Sequence, residues 1–162
     1  MTDEKIELAH MLNQQYLCES MTIKEVQTLI DYTSLVTFNK GDVIAEIDEI
    51  GDALYFVISG EIVLLRDDGG KENEVARVEQ GELMGEMSFF DKRPRSVRLK
   101  AVKNNTQMLK LSRVMYDRLR AEHPYIAVNL LEHAIVSLDH LFRRVSKDMS
   151  TFANYFYAPG RK

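Results

Sequence analysis

The 162-residue chain has one cysteine, no tryptophan and only three prolines. A single thiol, Cys18, cannot close an internal disulfide, and it has no metal-ligand spacing with the four scattered histidines. A disulfide scaffold and a zinc site are therefore set aside, and a part-buried thiol is expected. No apolar run approaches the roughly 20 residues of a membrane span. The opening MTDEKIELAH is too acidic and polar for a secretory signal, so the expected compartment is the cytoplasm. The formal charge of −4 leaves no concentrated basic face for neutralising phosphates, so neither direct nucleic-acid contact nor membrane contact is expected. Catalytic equipment is also missing, since no nucleophile stands beside a base and no phosphate-loop pattern occurs. No catalytic residue, metal or prosthetic group is assigned.

What is present is an ordinary soluble composition, 45% hydrophobic and 28% charged, with enough chain for one core that buries about two-thirds of the unfolded surface. Asp3 to Leu17 carries weak helical spacing. Thr22 with Glu25 three residues later forms a capping box that opens a second helix running to about Tyr32. From Leu35 the period changes to short runs of Val, Ile, Leu and Phe: Leu35 to Phe38, Val43 to Ala45, Leu54 to Ser59, Glu61 to Arg66, Glu74 to Val78, Ser96 to Val102 and Gln107 to Leu111. Gly-containing turns separate them, most plainly Asp67-Asp68-Gly69-Gly70. Such spacing predicts an antiparallel barrel or jelly roll. Ser112 is a candidate N-cap for a helix that stops at His123-Pro124, and a helix of more than twenty residues follows. The resulting division is an N-terminal helical segment at 1–34, a β-barrel at 35–111, C-terminal helices at 112–149 and a tail at 150–162. The fold class is α+β, an antiparallel β jelly-roll barrel flanked by N-terminal helices and a C-terminal helix pair.

Chemistry concentrates in GELMGEMSFFDKRPRS, Gly81 to Ser96. Here one carboxylate, Glu86, and one guanidinium, Arg95, lie nine residues apart around a turn containing Gly85. An Arg fork suits a phosphate bidentately, a carboxylate accepts hydrogen bonds from sugar hydroxyls, and glycine lets backbone approach a ligand closely. Met87 to Phe90 is expected to form a short helical turn with free N–H groups aimed at the phosphate. The pattern Gly85-Glu86-Met87 followed by Arg95-Ser96 resembles the phosphate-binding cassette of the cyclic-nucleotide-binding domain, shared by catabolite activator proteins, kinase regulatory subunits and nucleotide-gated channels. Phe38 to Leu64 is similar to that family's opening strands, with Lys40-Gly41-Asp42, Gly51-Asp52 and the Ser59-Gly60 hairpin. The resemblance extends from about Leu35 to Ser146.

It implies a site made of Gly85, Glu86, Met87, Ser88, Arg95 and Ser96. Arg95 would hold the cyclic phosphate, Ser96 would donate a hydroxyl, and Glu86 would take the ribose 2'-hydroxyl. Val63, Val75 and Ala76 would form the apolar wall for the base. Leu141 to Arg144 would approach the base, with Arg143 or Arg144 capping it. The plainer alternative for those arginines is a solvated pair complementing the helix dipole. Strand alternation puts Val97 and Arg98 on opposite faces. The ligand expected is a cyclic nucleotide, cyclic AMP ahead of cyclic GMP.

In the last helix Val128, Leu131, Ile135, Leu138, Phe142, Val145 and Met149 step by three and four, a heptad seam. A second row, Ala127, Leu130, Ala134 and Leu141, lies beside it. One row can cover the barrel while the other builds a homodimer; the alternative is a single wide stripe on the barrel. Catabolite activators carry a helix-turn-helix domain after this helix, whereas only Met149 to Lys162 remain here, so a stand-alone domain is expected. The tail aromatics Phe152, Tyr155, Phe156 and Tyr157 are expected either to fold over the pocket or partner or to be disordered. Two functions follow: a cyclic-nucleotide sensor whose C-terminal helices act on a separate downstream protein, or a ligand-free dimeric scaffold with a degenerate cassette.

Overall fold

The computed structural model describes residues 3–13 and 20–157, with every side chain among them except those at 141, 144, 145, 148 and 150–157. Cys18, the predicted run of the first helix from residue 14 to Leu17, the side chains of Leu141, Arg144 and Val145, and the tail aromatics lie outside the described residues.

Two short helices come first, α1 (Asp3–Asn13) and α2 (Ile23–Asp31). The capping box is formed: Glu25 N–H donates to Thr22 Oγ1 at 3.2 Å and Thr22 N–H donates to the Glu25 carboxylate at 3.1 Å. Strands β1 (Ser34–Phe38), β2 (Val43–Ala45), β3 (Ala53–Ser59), β4 (Glu61–Asp68) and β5 (Lys71–Glu79) follow, then β6 (Leu83–Met84) and the one-and-a-half-turn helix α3 (Glu86–Asp91). Strands β7 (Arg98–Ala101) and β8 (Thr106–Ser112) complete the sheets. Helix α4 (Arg113–Glu122) ends at His123, and α5 (Pro124–Tyr157) begins on the proline, whose missing N–H costs nothing in a first turn.

Two antiparallel four-stranded sheets, ordered β1-β8-β3-β6 and β2-β7-β4-β5, pack face to face as a jelly roll. Strand β3 shows why its sequence, ALYFVIS, does not alternate. Ala53, Tyr55 and Val57 enter the core between the sheets with Ile62, Val78, Met84, Leu99 and Met108. Leu54, Phe56 and Ile58 point the other way, into a second core with Val26, Leu29, Leu119, Ile126 and Leu130 from the helices. A strand buried on both faces has no polar face to show.

The last helix follows its two rows in part, Leu131 of the outer row packing against the barrel-side core. Ala127, Leu130 and Ala134 are buried, the last two within the barrel-side core. Val128, Ile135, Phe142 and Met149, each seven residues from the next, are exposed. Leu131 and Leu138 are partly buried.

Candidate functional site

The turn into α3 is made by Gly85, at φ 89°, ψ 0°, a left-handed conformation in which a Cβ would lie 3.1 Å from the Ala53 carbonyl oxygen. No side chain caps the helix start. Phe89 N–H reaches the Gly85 carbonyl at 3.3 Å. Before it, the N–H groups of Met87 and Ser88 have no partner among the described residues.

Arg95 is reached from the far side of the same turn. Its backbone is fixed by two ladder bonds to the preceding loop, Asp48 N–H to its carbonyl and its own N–H to the Glu49 carbonyl, both 2.8 Å. Beside them Ile50 and Pro94 form an antiparallel bridge. The side chain is 9% exposed, yet its guanidinium makes no hydrogen bond or ion pair with any described residue. A buried cation is normally paired; this one has its five donors available. Gly51 allows its approach, since a Cβ there would stand 2.8 Å from Arg95 Nη2 and 3.0 Å from the Phe89 nitrogen. Glu86, 8% exposed, is held above the usual carboxylate range by burial, against the pull of its own N–H and of Arg95; Glu82 adds a smaller push in the raising direction.

These groups border a cavity of about 180 Å³. Gly85, Glu86, Met87, Ser88, Arg95 and Ser96 all line it. The opposite wall is apolar, from Leu64, Ala76, Val78, Leu99 and Val97. The lining thus joins the Arg95 guanidinium and the helix-start N–H groups with the buried Glu86 carboxyl and an apolar wall, and Arg77, Glu82, Asp91, Arg93 and Ser137 also border it.

The family model described as the cyclic nucleotide-binding domain matches residues 35–123, just over half of the chain and the whole of this arrangement apart from the last helix. The chain belongs to the cyclic nucleotide-binding domain family. Over 115 residues the domain is 36% identical to the cyclic AMP receptor protein of Thermus thermophilus, covering 70% of this chain and 53% of that protein. It is 26% identical over 87 residues to a cAMP-dependent protein kinase regulatory subunit of Mucor circinelloides, covering 54% of this chain and 20% of the subunit. The chain therefore spans about half the length of the first relative and a fifth of the second. The Thermus thermophilus catabolite activator protein superposes with a TM-score of 0.69 at 32% identity, covering 85% of this chain and 64% of that one. A cyclic nucleotide-binding domain from Methylobacillus flagellatus shares the fold at a TM-score of 0.79 and 24% identity, covering 92% and 84%. No described helix is long and apolar enough to cross a membrane.

Three residues expected at the base end of the domain's site lie elsewhere. Val63 does not line the cavity: in β4 the inward positions are Ile62 and Leu64, and Val63 faces outward, buried between its ladder partners Arg77 and Lys100, whose long stems flank it. Val75 is 45% exposed because a bulge pairs Leu64 with Ala76 and Leu65 with Glu74, leaving Val75 unpaired. Arg143 is exposed and ion-paired to Asp139 one turn earlier, at 3.1 Å. Helix α5 instead enters the cavity wall through Ser137. That position was legible in principle: Leu130, Ala134 and Ser137 step by four and three, the spacing of one helix face. The Val97 and Arg98 alternation is seen, with Val97 at the cavity and Arg98 turned out to Glu46 at 2.7 Å and to Glu72.

Proposed function

We propose that this domain is a cyclic-nucleotide sensor, with cyclic AMP preferred to cyclic GMP, in which Arg95 holds the cyclic phosphate and Glu86 accepts from the ribose 2'-hydroxyl. The observation that supports this reading is the buried, unpaired guanidinium facing a cavity that also carries free helix-start N–H groups. A charge-assisted contact of this kind contributes about 1.5–3 kcal/mol. Ser96 adds a hydroxyl at the rim, and the wall of Leu64, Ala76, Val78 and Leu99 receives the base. The preference for cyclic AMP rests on the two relatives named for it.

Ligand capture is relayed to the C-terminal helices through Arg113, at the first position of α4. Its guanidinium donates to the Gly51 and Phe89 carbonyls, both at 2.7 Å, and its centre lies 4.3 Å from the Phe89 ring centroid. Phe89 in turn meets Tyr116 edge-on at 5.3 Å. A shift of α3 against the ligand therefore pulls on α4 directly. Such coupling needs a ligand that binds one helix arrangement more tightly than another. The exposed row Val128, Ile135, Phe142 and Met149, with Leu131, Leu138 and Val145, builds a homodimer, and the cytoplasmic dimer acts on a separate protein. That same row is what favours the second reading, a dimeric scaffold that takes no nucleotide.

Thermal unfolding separates the two. The sensor raises its midpoint with cyclic AMP, by the equivalent of about 2.7 kcal/mol at a hundred times the dissociation constant, and Arg95→Ala abolishes the rise. A midpoint indifferent to cyclic AMP, cyclic GMP and 5'-AMP at millimolar concentration leaves the scaffold.

A further inference from the structure

The hydroxyl of Ser88 lines the cavity, yet both of its hydrogen bonds are made inside the protein. It accepts from Gly51 N–H at 2.7 Å and donates to the Arg93 carbonyl at 2.6 Å. Those two partners are not arbitrary. The bridge between Ile50 and Pro94 sets an antiparallel register in which the next pair is Gly51 with Arg93, one step from the bonds that fix Arg95 to the loop of Asp48 and Glu49. In such a ladder, bonded and non-bonded pairs alternate, so Gly51 and Arg93 would bond directly. No direct bond between them has good hydrogen-bond geometry; the Ser88 hydroxyl accepts from the Gly51 N–H and donates to the Arg93 carbonyl, bracing the pair. Ser88 is 7% exposed, and its own carbonyl accepts Lys92 N–H at 3.1 Å.

We infer that Ser88 is a positioning residue for Arg95 rather than a ligand contact through its hydroxyl. One side chain locks α3 to both strands of the miniature ladder that carries the guanidinium, so the phosphate donors of the helix start and the Arg95 fork are held as one rigid unit. This inference rests on the proposed nucleotide site for its functional half. An alanine at this position removes the partner of the buried Gly51 N–H and of the part-buried Arg93 carbonyl, which loosens the ladder at Arg95.

Two measurements on the full chain test it. In the free protein, amide hydrogen exchange at Gly51, Asp48 and Arg95 is expected to accelerate at least tenfold in Ser88→Ala, with the β4–β5 hairpin unchanged. Unchanged exchange at Arg95 overturns the positioning role whatever the ligand. In cyclic AMP titrations, Ser88→Ala is expected to weaken binding about tenfold in the wild-type background and less than twofold when Arg95→Ala is already present. Equal losses in both backgrounds, or no loss in either, overturn the claim that Ser88 acts through Arg95. If the wild-type protein takes up no cyclic nucleotide, the sensor reading falls, and the exchange arm still decides the role of Ser88.

Discussion

Arg95 and Glu86 are both buried at one cavity, and their surroundings treat them differently. The guanidinium makes no hydrogen bond or ion pair with a described residue, and its nearest stated influence is the electrostatic pull it exerts on Glu86. The Glu86 carboxyl is raised by burial first, with its own N–H and Arg95 opposing. A raised native pKa means that the folded protein binds that proton more tightly than the unfolded chain. Stability is then highest below the ordinary carboxylate range and falls as pH rises through the native value. Glu86→Gln is accordingly expected to unfold at a higher temperature than wild type at pH 7, with the difference shrinking as pH drops below the range of free carboxylates. The same variant loses affinity for the nucleotide. A calorimetric pH series on the free proteins checks the sign; a gap that widens toward acid contradicts it. At this scale the sequence was most legible: Gly85, Glu86, Met87, Ser88, Arg95 and Ser96 all border one cavity, because a left-handed glycine and a fixed step to the arginine are local features that a short segment carries by itself.

Elements were legible where their pattern was one-sided. The capping box at Thr22, the break at Pro124 and the two rows of α5 each follow from spacing alone. Strand β6, only Leu83–Met84, is too short to show any period. In β4 the run Ile62, Val63, Leu64, Leu65 is apolar at every position, so nothing in it says which parity faces the cavity; the fold makes it Leu64. In β5 the bulge at Val75 shifts the parity midway, a feature set by the partner strand rather than by the residues themselves. The loop before β3 is under the tightest packing constraint. At Gly51 an added Cβ would crowd Arg95 Nη2 at 2.8 Å and the Phe89 backbone nitrogen at 3.0 Å. The arginine tip can move, but the helix backbone cannot. Gly51→Ala is expected to destabilise the domain by about 1–3 kcal/mol, as overpacking does, and to weaken nucleotide binding by displacing Arg95. Urea unfolding measures the first effect; an unchanged midpoint would mean that the loop yields freely.

For the whole molecule, the jelly roll supplies the cavity wall, the segment from Gly85 to Ser96 supplies the buried Glu86 and Arg95, and the helices pack on the first sheet. What sequence alone could not fix was the distance along α5 at which the helix meets the cavity, which depends on how the helix docks; among the described residues of α5, Ser137 lines it and Arg143 does not. Assembly belongs to this scale as well. Ile135 is 66% exposed, so Ile135→Glu should cost the isolated protomer under about 0.5 kcal/mol while placing a carboxylate in the seam. Light scattering is expected to give a dimer for wild type and a monomer for the variant, with identical circular dichroism. A monomeric wild type contradicts the seam. The central claim is that the unpaired guanidinium of Arg95 is the phosphate site, and calorimetric titration of the wild-type protein and Arg95→Ala with cyclic AMP tests it most directly. Saturable binding that weakens at least tenfold in the variant is the predicted result; equal affinity in the two proteins would contradict it.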